Sequence, residues 1–277
     1  MTSHKLSRLA VLIVLASSQG LLIASAQEQD LQALRKSDFV FVGTVMKTGE
    51  PSFAGVPASP NNVVVRVDGI IEKPEAAMLN AGDEITVRAA DAGALREGGR
   101  GVFYARSWIY GKGIAVTELG LSALPQGQAT ESATAAVHEM RTQINRDELR
   151  ERVQAADAVV NGEVVAVHEA PAPARRVISE HDPEWNDAIV KVEGVVKGGE
   201  ELRTIAIRFP ASADVAWYGA PKLRVDEKSI FVLTKDHISN APPAEFHGSK
   251  IPTYTALTRQ DVLPEGQLEA VKAAGAQ

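Results

Sequence analysis

Two short stretches of the chain alternate apolar and polar positions in the same way. In residues 38–45, DFVFVGTV, Phe39, Phe41, Gly43 and Val45 fall on one face. In residues 157–164, DAVVNGEV, that face carries Ala158, Val160, Gly162 and Val164, and the opposite face carries Asn161 and Glu163 where the first stretch has Val42 and Thr44. A period of two is that of a β-strand with one face in a core. A second strand is predicted after each. Val63, Val65 and Val67 oppose Arg66 and Asp68 in VVVRVDGII (63–71), and Val190 and Val192 oppose Lys191 and Glu193 in AIVKVEGVV (188–196). EITVR (84–88) and TIAIR (204–208) predict a third strand, and GRGVFYA (99–105) and EKSIFVL (227–233) a fourth.

These pairs occur in the same order, offset by 119, 125, 120 and 128 residues, and LPQGQ (124–128) and LPEGQ (263–267) follow at an offset of 139. Only the loop lengths change, which is the signature of an internal duplication. Gly43 and Gly162, and Gly69 and Gly194, recur at matched positions, all four read here as lying on the inner face. Glycine weakens a strand unless the sheet bends sharply or backbones approach closely, so each repeat is expected to coil into a small barrel. Helical spacing is confined to the flanks: LQALRKSD (31–38), ATESATAAVHEMRTQI (129–144), RDELRERVQAAD (146–157) with Asn145 as its N-cap, and LEAVKAA (268–274). The helix before each first strand is expected to cross the end of its barrel. The fold class is therefore mainly β, with domains at 27–140 and 141–277.

Residues 1–26 read as a secretory signal peptide. Lys5 and Arg8 precede the apolar run Leu9–Ala16, Leu21–Ile23 continue it, and Ala24-Ser25-Ala26 ends it with small residues, which predicts a cut after Ala26. The expected location is periplasmic or extracellular, with no integral membrane span after cleavage. Removing the segment takes away two cations and moves the formal charge from −6 to −8. An acidic mature chain argues against nucleic acid as a partner. With no cysteine, thiol catalysis, thiolate metal sites and disulfides are excluded. About 250 mature residues bury enough surface to fold without disulfides.

The repeat resembles the netrin-like, tissue-inhibitor-of-metalloproteinase-like family. The residues that carry the resemblance are Ala156 to Val164, Val192 to Gly198 and Lys228 to Leu233, with Ser37 to Val45, Val67 to Lys73 and Arg100 to Ala105 in the first repeat. The resemblance implies two tandem small OB-like β-barrels with short flanking helices, binding through loops at one end. Animal members of the family chelate a protease zinc with an N-terminal cysteine. This chain has no cysteine and a predicted mature start at Gln27, so that mechanism does not carry over.

No nucleophile elbow, zinc helix, phosphate loop or dinucleotide fingerprint is present, and no cofactor is implied. The segment HEAPAPARRVISEHDPEWND (168–187) gathers His168, Glu169, Glu180, His181, Asp182, Glu184 and Asp187. His168, His181 and Asp182 are the candidate metal ligands, since imidazole and carboxylate suit zinc or manganese. Arg175 and Arg176 suit an anion. Trp185 in this segment and Trp217 and Tyr218 in DVAWYGAPKL (214–223) suit either a plug in the end of a barrel or an exposed binding patch. The reading is an exported, non-enzymatic binding protein whose partner is a protein or a small ligand met through the longer loops of the second repeat. A protease inhibitor without the cysteine chelator and a metal-dependent hydrolase are the other two readings.

Overall fold

The computed structural model describes residues 27–110, 113–125, 127–172, 183–199, 201–212 and 214–276. The structure is mainly β, and the chain divides after Ile144 into two compact units.

In the first unit, helix α1 covers residues 27–36 and is followed by β1 (Phe39–Thr48), β2 (Asn62–Glu72), β3 (Glu84–Arg88), β4 (Arg100–Tyr110) and β5 (Ile114–Ala123). These strands close into a barrel in the order β1-β2-β3-β5-β4, with β3 and β5 parallel and the other neighbours antiparallel. The inner face carries Phe39, Phe41, Val45, Val63, Val65 and Val67, as the alternation predicts, and Phe41 stacks at 5.2 Å on Phe103, its paired neighbour on β4.

The alternation predicts a strand with one buried face, but the outer face of β1 is buried as well. Val40 and Val42 pack with Val102 and Tyr104 under Ala33 and Leu34 of α1 and under Ala133, Val137 and Ile144 of helix α2 (Thr130–Ala155). The helices therefore lie against the barrel wall and not across its end. Their apolar stripes need an apolar surface, and Val40 and Val42 provide it.

Helix α2 runs unbroken through Asn145, which is not an N-cap. No proline or glycine interrupts residues 130–155. Its apolar positions recur at Ala133, Val137, Met140 and Ile144, then at Leu149 and Val153. The step from 144 to 149 displaces the stripe by one residue, about 100°, which is why the pattern reads as two helices.

The second unit contains β6 (Ala158–Glu169), β7 (Trp185–Lys197), β8 (Thr204–Pro210), β9 (Lys228–Lys235), the short pair β10 (Glu245–Phe246) and β11 (Ser249–Lys250), β12 (Thr253–Thr255), β13 (Val262–Leu263) and helix α3 (Leu268–Gly275). Six strands form one sheet in the order β12-β8-β7-β6-β9-β13, and β12 also pairs with β9. Ala158, Val160, Val164, Val190, Ile207 and Phe231 share one apolar cluster. On the other side of β6 and β9, Val159, Ile230 and Val232 pack with Val153, Val271 and Ala274.

The ladders of the two units correspond pair by pair. Offsets of 119 and 125 convert every β1–β2 pair into a β6–β7 pair, and offsets of 119 and 128 convert every β1–β4 pair into a β6–β9 pair. The bulges correspond too. Between Gly43↔Val67 and Val42↔Gly69 the second strand advances by two residues, which makes Asp68 the extra residue; Glu193 holds the same place in β7. A bulge reverses the phase of the strand beyond it. Gly69 and Gly194 therefore lie on the outer face, not the inner one. A Cβ at Gly69 would stand 2.6 Å from Thr130 Cγ2, and one at Gly194 would stand 2.4 Å from Asn161 Oδ1. Both are sites of close approach.

The leading aspartates also share a role. Asp38 accepts the backbone N–H of Ser107 at 2.8 Å and its hydroxyl at 2.5 Å, and Asp157 accepts the backbone N–H of Lys235 at 2.7 Å. Each holds the far end of its closing strand, β4 or β9.

Candidate functional site

Two connections of the second unit depart from those of the first. Residues 89–99 join β3 to β4, whereas residues 211–227 join β8 to β9. The longer connection makes a 3₁₀ turn at Val215–Trp217 and carries Tyr218 beyond it. The place of the single strand β5 is taken by β12 and β13, separated by a turn at Arg259–Asp261. Asp261 accepts the backbone N–H groups of Leu257 and Thr258 at 2.8 Å each. Arg152 holds the same turn through Gln260 at 2.8 Å and Asp261 at 3.4 Å.

These departures frame an open cleft of about 650 Å³. Val167 and the buried Phe209 and Leu223 give it apolar surface, and Ser212, Tyr218, Ala220 and Pro221 line it as well. Tyr218 is 72% exposed, an unusual cost for an aromatic ring that has nothing to cover it. Lys222, Arg224 and Arg259 also line the cleft, and no acidic residue does among the described residues. The Lys222 ammonium donates to the carbonyls of Pro210, Ser212 (3.0 Å) and Trp217 (3.4 Å), so it is committed to shaping the connection. Burial lowers its pKa from the ordinary lysine value. The Arg259 guanidinium lies 6.0 Å from the centre of the Tyr218 ring. Arg224 and Arg259 have no carboxylate partner among the described residues.

Of the aromatic candidates, Tyr218 lines the cleft. Trp185, the first residue of β7, meets Trp217 with ring centres 6.0 Å apart and planes inclined at 56°. Both indoles are half-buried and neither belongs to the apolar clusters. They support the base of the β8–β9 connection; they do not plug a core. Arg175, Arg176, His181 and Asp182 lie outside the described residues. His168 belongs to β6 and is exposed, opposite Asp187 in the ladder. The expected loop is therefore shorter than 168–187, because His168↔Asp187 and Glu169↔Asn186 are paired. Among the described residues, no cluster of three His, Asp or Glu side chains could hold a metal ion.

Asp187 is not available as a ligand. It is fully buried and takes two hydrogen bonds from fully buried Arg208, at 2.7 and 2.8 Å. The same guanidinium bonds Asp236 at 2.7 Å, Ser239 Oγ at 2.8 Å and the Pro242 carbonyl at 3.0 Å. The ladder offsets match Arg208 to Arg88, Asp187 to Asn62 and Asp236 to Trp108. In the first unit Arg88 lies over the Trp108 ring at 3.6 Å. One arginine at one register thus has two solutions: an aromatic face at the surface, or two carboxylates inside. The TIAIR pattern contains the signal, an arginine closing an apolar alternation, but its partners lie 21 and 28 residues away.

The outer face of β6 has its own polar partners. Lys228 reaches Glu193 at 3.1 Å and Glu163 at 3.5 Å, where the first unit sets Arg100 against Asp68 at 3.0 Å and hydrogen-bonds Thr44 to the same carboxylate at 2.7 Å.

Asp236 and Asp68 are both held below the ordinary aspartate pKa of 3.8. Burial opposes their ionisation. It is outweighed at Asp236 by hydrogen bonds from Ser239 and the N–H of Ile238 and by the charge of Arg208, and at Asp68 by Thr44, Arg100 and Arg66. A carboxyl whose folded pKa is depressed contributes stability that is complete above its unfolded pKa and is lost as pH falls through the folded value. The melting temperature is therefore expected to fall as pH drops below about 4. Asp236→Asn should lower it at pH 7 and flatten that acid slope. An unchanged slope in thermal melts run from pH 6 to pH 2.5 would contradict the assignment.

A comparison with protein-family models gives no match, and neither does one with curated proteins.

Proposed function

We propose that this is an exported, non-catalytic binding protein built from two duplicated OB-like barrels, with its ligand seated on the second. The observation that carries the reading is the cleft in the second unit, with its apolar lining, exposed Tyr218 and arginines that have no carboxylate partner among the described residues. Its volume falls in the ordinary range of small-ligand sites, and its chemistry, apolar lining with a few polar groups, is theirs as well. The duplication is supported by the constant offsets between the ladders. The OB-like reading is supported by the strand order of the first unit and by the ring of pairings β6-β7-β8-β12-β9 in the second, in which β8 and β12 are parallel as β3 and β5 are. Export rests on the basic, apolar and small-residue sequence of positions 1–26.

The test is a thermal-shift screen of small ligands on protein recovered from outside the cytoplasm, whose intact mass should correspond to a start at Gln27. Ligands that stabilise the protein are expected to lose that effect in Ser212→Trp, which adds an indole at a residue lining the cleft, and to weaken in Tyr218→Ala. Ligands indifferent to both substitutions would place binding elsewhere. Turnover of ester, peptide or phosphoester substrates by the purified protein would overturn the non-catalytic part.

A further inference from the structure

We infer that the cleft takes a small amphipathic anion: a carboxylate, sulfonate or phosphate carried on an apolar body. The inference rests on the reading of the cleft as a ligand site and adds the ligand's chemistry. Three observations carry it.

The first is the mixed chemistry of the lining. Val167, Phe209 and Leu223 contribute apolar surface, and Lys222, Arg224 and Arg259 contribute charge. A purely polar ion would leave the apolar surface wet, and a purely apolar ligand would leave Arg224 and Arg259 unused. Apolar surface that closes against a ligand contributes roughly 25 cal/mol per Å².

The second is charge. The whole chain carries −6, yet the described lining holds three cations and no acid. Of the two carboxylates that follow Arg224 in sequence, neither lines the cleft: Asp226 is exposed, and Glu227 is engaged by the backbone N–H of Arg224 at 3.1 Å and by the Ser229 hydroxyl at 3.4 Å. Lys222 spends its hydrogen bonds on three carbonyls but leaves its charge uncompensated by any carboxylate among the described residues. The charged side chains lining the cleft are thus all cationic among the described residues, on a negative protein, which favours entry of an anion. Guanidinium groups pair with planar carboxylates and with phosphates through two parallel hydrogen bonds, so two arginines without a carboxylate partner among the described residues specify the anion's place as well as its sign.

The third is origin. Tyr218 and Lys222 belong to the lengthened β8–β9 connection, and Arg259 belongs to the turn that splits the counterpart of β5. The first unit has a shorter connection and an unbroken strand at these places. Tyr218, Lys222 and Arg259 thus arrive with the segments that distinguish the two units, whereas Arg224 matches Arg96 in the turn before β4; Arg152, Gln260 and Asp261 fix one of those segments in place.

Two fluorescent probes separate the anion from its apolar body: 8-anilinonaphthalene-1-sulfonate, and N-phenyl-1-naphthylamine, which has the same rings without the sulfonate. Both are titrated into the full mature protein, the double variant Arg224→Gln/Arg259→Gln, and Ser212→Trp. Ser212→Trp is expected to abolish the saturable component for both probes. The double glutamine variant should weaken the sulfonate about tenfold at low ionic strength and change the neutral probe by less than about twofold, because two exposed charge contacts together contribute about that much. Added salt should bring the wild-type sulfonate affinity toward that of the variant. A sulfonate affinity unchanged by the glutamines, with both probes lost in Ser212→Trp, overturns the anion and leaves the cleft as a binding site. Equal weakening of both probes by the glutamines also overturns it. Indifference of both probes to Ser212→Trp overturns the anion and the cleft together. Melting temperatures of each variant, expected within a few degrees of the parent, exclude unfolding as the cause.

Discussion

Replacing Arg208 with methionine is expected to destabilise the second unit by about 3–5 kcal/mol, the largest single effect outside the apolar core. Arg208 and Asp187 are fully buried, and the Asp236 side chain is 8% exposed. Methionine has nearly the right volume but supplies no donor. The substitution would strand two carboxylates, one serine hydroxyl and the Pro242 carbonyl without their shared partner. The cost comes from leaving charges unpaired in a dry site; the net worth of the intact pair is smaller, because taking both ions out of water offsets most of their attraction. The counterpart substitution, Arg88→Met, provides the internal control. Arg88 lies over Trp108, where the contact contributes roughly 0.5–1 kcal/mol, and methionine replaces part of its packing. Chemical denaturation of the two variants should separate them by at least about 2 kcal/mol. Equal midpoints would remove the buried cluster as a determinant of stability.

The second large effect is expected at Gly162. A Cβ there would stand 2.4 Å from the Lys191 carbonyl oxygen and 2.9 Å from Val190 Cγ1. The carbonyl belongs to the neighbouring strand's backbone, so the obstruction cannot rotate away. Overpacking of this kind costs about 1–3 kcal/mol, against which the stiffer unfolded chain returns less than about 1 kcal/mol. Gly162→Ala should therefore lose about 2 kcal/mol, and Gly162→Val more, since its branches meet the same strand. Gly43→Ala, with Val65 Cγ1 at 2.5 Å and the Arg66 carbonyl at 3.1 Å, should lose somewhat less, because a side chain can yield where a backbone cannot. Gly266→Ala is the neutral reference, since its Cβ would meet nothing within 4 Å. A Gly162→Ala protein as stable as the Gly266→Ala protein would show that the strands can part without loss.

The site was partly legible in the sequence. Tyr218 stands out as an aromatic in a long connection, and it lines the cleft. Arg224 and Arg259 do not stand out, because neither belongs to a motif and they lie 35 residues apart along the chain. Only the folding of the β12–β13 segment against β9 sets Arg259 beside Tyr218. Asp187 was misread as a loop carboxylate for a related reason. A strand that continues past its apolar alternation looks like a loop until its partner strand is known.

By itself the sequence determined the first four β-strands of each repeat, their succession along the chain, the expectation of a barrel and the positions where glycine is required, but not β5, which closes the first barrel, nor β10 to β13. What it determined follows from the period of two, from repetition and from the turns between, all of which are local and survive translation along the chain. The tertiary structure alone decided which face each residue occupies beyond a bulge, which side of β1 the helices cover, what satisfies Arg208, and where the cleft opens. A bulge reverses the phase of everything after it. A buried charge finds its partners across strands, at separations that sequence proximity does not encode. A cleft is the space left by segments that are distant in the chain, so no window of sequence contains it.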